Sequence, residues 1–475
     1  KIGVEEANEN GYYNSDFNVT LSAKDSDAYS GISKLEYWVY KNGETVTDHH
    51  EVYSYKSGDE ILQEKSVDDV KIDAEKNNSD NVKIVLKVTD LAGNENEVCE
   101  KVKINTTAPT VNVEINGNTN TSFEKGYYTQ RTATVTITDR GTTFDANAAT
   151  DGIKISGKGI DGNEISLDKT KMISKWDTNG DKHTATVSFV DNGIYSWSVS
   201  YQNKAGKSAE KVDVSEQKTP YKFTVDKTSP SLKLTYEENT WNELLQTITF
   251  GIWSKSDVKV SANVEDGISP IKSVSYHKYN GDTALGDKEL DELYNNGEFQ
   301  EHNAPIKASP GEQAVIYGRV EDYAGNYTYV SSNGIIADNK APEITFDVSP
   351  KNKYGKIYNE DVDVYNGDVD VTVSVKDVCS GIKSINYKVY CDENVTQEDT
   401  YEFNITDPTK EQLETEISKL ITVEAEKNNS DNVKVVVTAT DNAGNKTKDD
   451  EHTISLVIDK TPPEINVKYN STANN

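Results

Sequence analysis

The sequence predicts an all-β protein, four β-sandwich domains in tandem that form an elongated rod with short helical insertions. Three observations predict it. Apolar and polar residues alternate with period two in segment after segment. Two short motifs recur four times at a spacing of roughly 120 residues. The apolar residues are rich in Val and Tyr and poor in Leu, with 27 Tyr against 9 Phe and a single Met, which favours strands over helices.

The motifs set the organisation. Asp90-Leu-Ala-Gly-Asn94, Asp322-Tyr-Ala-Gly-Asn326 and Asp441-Asn-Ala-Gly-Asn445 are copies of one turn, and Asn203-Lys-Ala-Gly-Lys207 is a degraded fourth. A second motif follows each: Asn105-Thr-Thr-Ala-Pro109, Asp226-Lys-Thr-Ser-Pro230, Asp338-Asn-Lys-Ala-Pro342 and Asp459-Lys-Thr-Pro-Pro463. The prolines stand 121, 112 and 121 residues apart. Domains are therefore expected at 1–108, 109–229, 230–341 and 342–462, with 463–475 the start of a further repeat or a tail. The first and fourth units are the most alike, sharing Glu-Lys-Asn-Asn-Ser-Asp-Asn at Glu75–Asn81 and Glu426–Asn432.

Each element has a local reason. Val82, Ile84, Leu86 and Val88 alternate with Lys83 and Lys87, as a half-buried strand requires, and Val433, Val435, Val437 and Ala439 repeat the pattern. Tyr195, Trp197 and Val199 do the same in the second unit. Each such strand runs into the Ala-Gly-Asn turn, where Gly accepts positive φ and the Asp side chain can cap the turn. Proline then stands where the chain leaves one sheet for the next and needs no N–H. Linkers this short favour stacked, semi-rigid neighbours. Ser30-Gly31-Ile32 before Leu35, Tyr37 and Val39 is matched by Ser380-Gly381-Ile382 before Ile385, Tyr387 and Val389. Helices are expected from Asp407-Pro408 through Leu413, Ile417 and Leu420, and near Glu289–Leu293. Trp38 and Trp197 are expected to face the core. Trp241 and Trp253, with Phe250 and Ile252, are expected either at the junction of the second and third units or in an exposed patch.

Charge excludes partners. With 50 basic against 80 acidic residues the chain carries a formal charge of -30, which repels nucleic acid and anionic membrane surfaces. No apolar run reaches the ~18 residues that span a bilayer, and the chain reads as an internal segment of a longer exported protein. Cys99, Cys379 and Cys391 do not make a disulfide framework. The six histidines are scattered, and no His-Glu-x-x-His, Gly-x-Ser-x-Gly, phosphate loop or Cys-x-x-Cys is present. An enzyme is not expected.

A strand ending in Asp-x-Ala-Gly-Asn, a second strand, then Asp-Lys-Thr-x-Pro resembles the bacterial Ig-like (Big-type) domains of large cell-surface proteins and adhesins. The resemblance covers essentially the whole chain and implies Ig-like sandwiches exported to the bacterial surface or secreted. It implies calcium at domain junctions, on Asp90, Asp322 and Asp441 of the turns and Asp226, Asp338 and Asp459 of the linkers. The alternative for each is an aspartate that only caps its own turn. Asn105 and Asn203 depart from the motif. Asp361, Asp363, Asp368 and Asp370 alternate along one stretch and read as a solvated face. The function expected is a non-catalytic, monomeric surface adhesin segment that recognises a host extracellular protein, such as a mucosal glycoprotein or immunoglobulin, or a glycan. A passive stalk, or an accessory module of an exported glycan-active enzyme, is the alternative.

Overall fold

The computed structural model describes residues 1–26, 30–46, 49–116, 126–212, 222–301, 304–350, 353–356, 363–405, 408–448 and 451–468. Asp361 and Asp407, both singled out above, lie outside them. The chain forms two compact units. One holds Lys1–Thr228 with Gly267–Ser269 and Tyr323–Asn326, the other Ser229–Asp266, Pro270–Asp322 and Tyr327–Asn475.

Within the first unit, residues 2–104 make one sandwich. A three-stranded sheet orders Ile2–Val4, Phe17–Lys24 and Glu64–Ile72. The opposing sheet runs Tyr12–Tyr13, Glu95–Ile104, Val82–Asp90 and Ile32–Lys41. Val19, Leu21 and Ile72 of one sheet meet Leu35, Val39, Ile84 and Leu86 of the other in a single apolar cluster. That is the period-two pattern carried into a core, because alternate side chains of a strand share a face. The second sandwich, residues 110–225, packs Val135, Ile137 and Val187 against Tyr195, Trp197 and Val199.

The second unit repeats the plan. Leu232, Leu234, Val258 and Val260 pack against Ile316, Val320 and Ile335 in one sandwich. Val371, Val373 and Val375 pack against Ile385, Val389, Val435 and Val437 in the next. The four sandwiches share one further mark. An early short strand pairs in parallel with the last strand: Tyr12 with Lys103, Tyr127 with Thr224, Trp253 with Ile336 and Val364 with Val457. Pairing of this kind ties the start of each sandwich to its end, which places the linker motif beside the sheet that carries the Ala-Gly-Asn turn.

Three expectations are corrected. Trp38 is buried, at 4 % exposure, but it does not join the core. The alternation that turns Leu35 and Val39 inward turns Trp38 outward, where it lies opposite Val85 and under the His49 ring at 3.9 Å. Phe250 and Trp253 join Ile336, Cys379 and Leu413 at the joint between the third and fourth sandwiches, while Trp241 and Ile252 belong to the third core. The helix after Pro408 stops at Leu413, and Ile417–Val423 is a strand paired with Val369–Lys376. Ile417, Ile421 and Val423 are β-branched and alternate, so the sheet outcompetes the helix there.

The third sandwich has an added layer. Helix Asp287–Asn295 sets Leu290 against Val315, Tyr317 and Tyr329 on the outward face of its sheet. Among the described residues no helix is long and apolar enough to cross a membrane.

Candidate metal centre

The Ala-Gly-Asn turn forms as its residues dictate. Gly444 sits at φ +87° and Gly93 at φ +86°, a region closed to most side chains. Asp441 Oδ1 accepts the Asn445 backbone N–H at 2.7 Å and Oδ2 accepts its side-chain amide at 2.8 Å. Asp90 and Asn94 make the same pair, both at 2.7 Å. The linker aspartates also cap. Asp338 Oδ1 accepts from Lys340 N–H at 3.0 Å, and Asp459 Oδ1 from Thr461 N–H at 2.8 Å. The capping role is therefore real, yet at Asp338 it occupies a single carboxylate oxygen.

The other oxygen has a second task. Asp338 Oδ2 accepts from the Ser380 hydroxyl at 2.8 Å. Ser380 belongs to the loop between strands Val369–Lys376 and Ile382–Cys391 of the fourth sandwich, and that loop wraps a third carboxylate, Asp377. Its Oδ1 accepts the backbone N–H groups of Cys379, Ser380 and Gly381 at 3.0, 2.6 and 2.8 Å. Gly381 has φ +66° and a position where a Cβ would come within 3.1 Å of the Leu413 carbonyl oxygen. Asp338, Asp377 and Asp441 each present a carboxylate oxygen, and these oxygens lie within 4.8 Å of one another. All three residues are buried, at 1, 3 and 0 % exposure.

Three buried carboxylates this close resist being ionised together. At an effective dielectric near 20, two unit charges about 4–5 Å apart repel by about 3–4 kcal/mol. Three such pairs amount to on the order of 10 kcal/mol, comparable with the net stability of a domain. Burial pushes the Asp441 carboxyl up to about 6; the Asn445 bonds oppose this and the charges of Asp338 and Asp377 add to it. Burial, aided by Asp338, also raises Asp377 against the pull of its three backbone donors. A hard divalent cation with oxygen ligands relieves the repulsion without protonation. The neighbouring Cys379 does not compete as a ligand in its resting form, because burial and the three carboxylates push its thiol up to about 12.

Asp338 and Asp441, two of the six aspartates read from the sequence, belong to this centre. Asp90 is half-buried and pairs instead with Asp25, both accepting from the Ser30 hydroxyl at 3.0 Å. Asp226 is fully buried and accepts from Thr228 N–H at 2.9 Å and from the Ser269 hydroxyl at 2.6 Å. Asp322 is fully buried at the end of Glu312–Asp322, and Asp459 is exposed. Sequence reasoning missed Asp377 and Asp25. Their signal was available: each is an aspartate a few residues before Ser-Gly-Ile.

Buried His183 uses both ring nitrogens structurally, on the Thr178 hydroxyl at 2.9 Å and the Asp139 carbonyl at 3.2 Å.

The chain is similar in structure to tandem repeats of large bacterial adhesins. A tetra-tandem repeat from the extending region of a large adhesion protein covers 97 % of this chain and 99 % of its own, at 12 % identity and a TM-score of 0.30. A Ca2+-stabilised adhesin with which an Antarctic bacterium binds ice covers 97 % and 99 %, at 16 % identity and a TM-score of 0.25. A chain of a 1.5-MDa bacterial ice-binding adhesin covers 71 % and 98 %, at 14 % identity and a TM-score of 0.25. At these values the likeness carries no functional conclusion. No protein-family model and no curated protein sequence matches.

Proposed function

We propose that this chain is a non-catalytic segment of a bacterial surface adhesin in which calcium, held by Asp338, Asp377 and Asp441, locks the third sandwich to the fourth. One observation carries the reading: three buried carboxylates with oxygens within 4.8 Å of one another, contributed by the linker, the loop after strand Val369–Lys376 and the last turn. The linker belongs to the third sandwich, and the loop and turn belong to the fourth. An ion bound by all three therefore bridges the joint. Its mechanism is mechanical, since bending the joint would pull Asp338 away from the ion. The domain limits at Pro109, Pro230, Pro342 and Pro463, the cell-surface or secreted location and the monomeric state belong to the same proposal.

Recognition of a host extracellular protein or glycan is the second reading, and one observation favours it. Ser384, Asn386, Lys388, Tyr390, Thr400 and Thr438 line an open depression of about 450 Å³ on the outward face of the fourth sandwich. In the third sandwich the corresponding face is covered by its helix. Polar side chains on an open sheet suit hydroxyl-rich ligands.

Calorimetric titration of the chelated protein with calcium tests the main reading. Saturable binding with a raised melting temperature, both lost in Asp338→Asn, is the expected result. Unchanged melting across millimolar calcium overturns it.

A further inference from the structure

The joint between the first two sandwiches repeats the geometry of the third joint with different chemistry. Asn105 stands in the linker motif where Asp338 stands, and Asn203 opens the turn where Asp441 does. Asp139 follows strand Arg131–Thr138 as Asp377 follows Val369–Lys376. Both departures from the repeat motif therefore fall on one joint, where they leave one acid in place of three.

The two amides do what carboxylates cannot, because they donate. Asn203 Nδ2 donates to Asp139 Oδ1 at 3.0 Å. Asn105 Nδ2 donates to the Thr143 hydroxyl at 3.0 Å, and that hydroxyl donates to the same Asp139 Oδ1 at 3.1 Å. Tyr201 donates to Asp139 Oδ2 at 3.3 Å. Asn105, Asp139, Thr143 and Asn203 are 0, 6, 0 and 5 % exposed. The lone buried carboxylate thus has donors on both oxygens and no second charge beside it in this set.

The rim is reinforced in the same way. Arg140 bonds Asp80 at 2.9 Å, the Ile104 carbonyl at 3.0 Å and Asn78 at 2.7 Å, so it ties the second sandwich to the first. The matching residue in the third joint is Val378, 62 % exposed. Asn8 and Asn14 reach across to the carbonyls of Lys204 and Ala205 at 2.8 and 2.7 Å.

We infer that the first joint is closed by this side-chain network without a metal ion, so that the chain joins a metal-independent first pair of sandwiches to a calcium-responsive last pair. The contrast with the last pair rests on the calcium reading above; the closure of the first joint does not. Removing calcium would then loosen one joint and leave the other set.

Hydrogen–deuterium exchange on the full chain, in calcium and in chelator, tests this at two places in one experiment. Residues 104–107 and 203–207 are expected to keep their protection in chelator. Residues 338–340 and 441–445 are expected to lose about tenfold or more. Thr143→Val is expected to lower protection at 104–107 and 203–207 by about tenfold in both conditions. Asn105→Asp/Asn203→Asp is expected to lose the same protection in chelator and to regain it in calcium. Loss of protection at the first joint of the unaltered chain on chelation overturns the inference. So does full protection of either variant in chelator. If only residues 338–340 and 441–445 ignore calcium, the calcium reading fails while the closure of the first joint stands.

Discussion

Asp338 and Ser380 meet at 2.8 Å across 42 residues of sequence. The bond carries the linker carboxylate over to the loop that Asp377 organises, and Asn445 completes the contact by donating to the Asp338 carbonyl oxygen at 2.9 Å. The linker is thereby held from two sides by the sandwich it leads into.

Removing one charge from this centre separates its two possible roles. Asp338→Asn keeps an oxygen for the Lys340 cap. In chelator its stability is expected to match or exceed that of the unaltered protein by about 1–3 kcal/mol, the part of the lost repulsion left after the Ser380 hydroxyl loses its carboxylate acceptor. In calcium it is expected to fall below the unaltered protein. Urea unfolding in both conditions measures the crossing; a variant that tracks the unaltered protein in both would show that Asp338 only caps.

The Asp441 carboxyl, raised to about 6, makes the metal-free joint pH-dependent. A folded-state value above the unfolded one contributes stability that is fully present below about pH 4 and is lost as pH rises through about 6. The difference is worth about 3 kcal/mol. In chelator, the gap between the unaltered protein and Asp441→Asn is expected to widen in the variant's favour from about pH 4 to about pH 7. The calcium-induced rise in melting temperature is expected to shrink toward about pH 5, where protons compete for the ligands. A pH-independent gap counts against the coupling.

Thiol labelling reads the burial of the third joint directly. Cys99 is exposed, Cys391 is partly buried, and Cys379 is buried with its thiol pushed up to about 12. Cys99 is expected to react first and Cys379 only on unfolding or on opening of the joint. Mass spectrometry of the labelled peptides decides the order; early labelling of Cys379 in calcium would contradict a closed joint.

Trp38 offers an optical reporter of the first sandwich. Its ring lies under His49 at 3.9 Å and 7° between planes. His49→Ala is expected to shift Trp emission to the red and to cost about 0.5–1.5 kcal/mol. Trp38→Ala is expected to cost about 3 kcal/mol or more, because a large side chain at 4 % exposure is deleted. Unchanged emission in His49→Ala would mean the stack is absent in solution.

Much of this protein follows from local sequence. Val82, Ile84 and Leu86 are inward because period two leaves them no other face, and Asp441 and Asn445 form their turn because Gly444 permits positive φ. The helix predicted beyond Leu413 failed for an equally physical reason: Ile417–Val423 found a sheet edge on Val369–Lys376, and such pairing is invisible along the chain. The centre divides the same way. Sequence placed Asp338 and Asp441 in recurring motifs and flagged Asn105 and Asn203 as departures. Only the tertiary structure decided that Asp377 completes the first set, that both departures fall on one joint, and that Phe250 and Trp253 pack beside Cys379 at the third joint. A repeat motif fixes which residues each sandwich offers at its ends. Which ends meet, and hence which charges are buried together, is set by contacts between residues far apart in the chain.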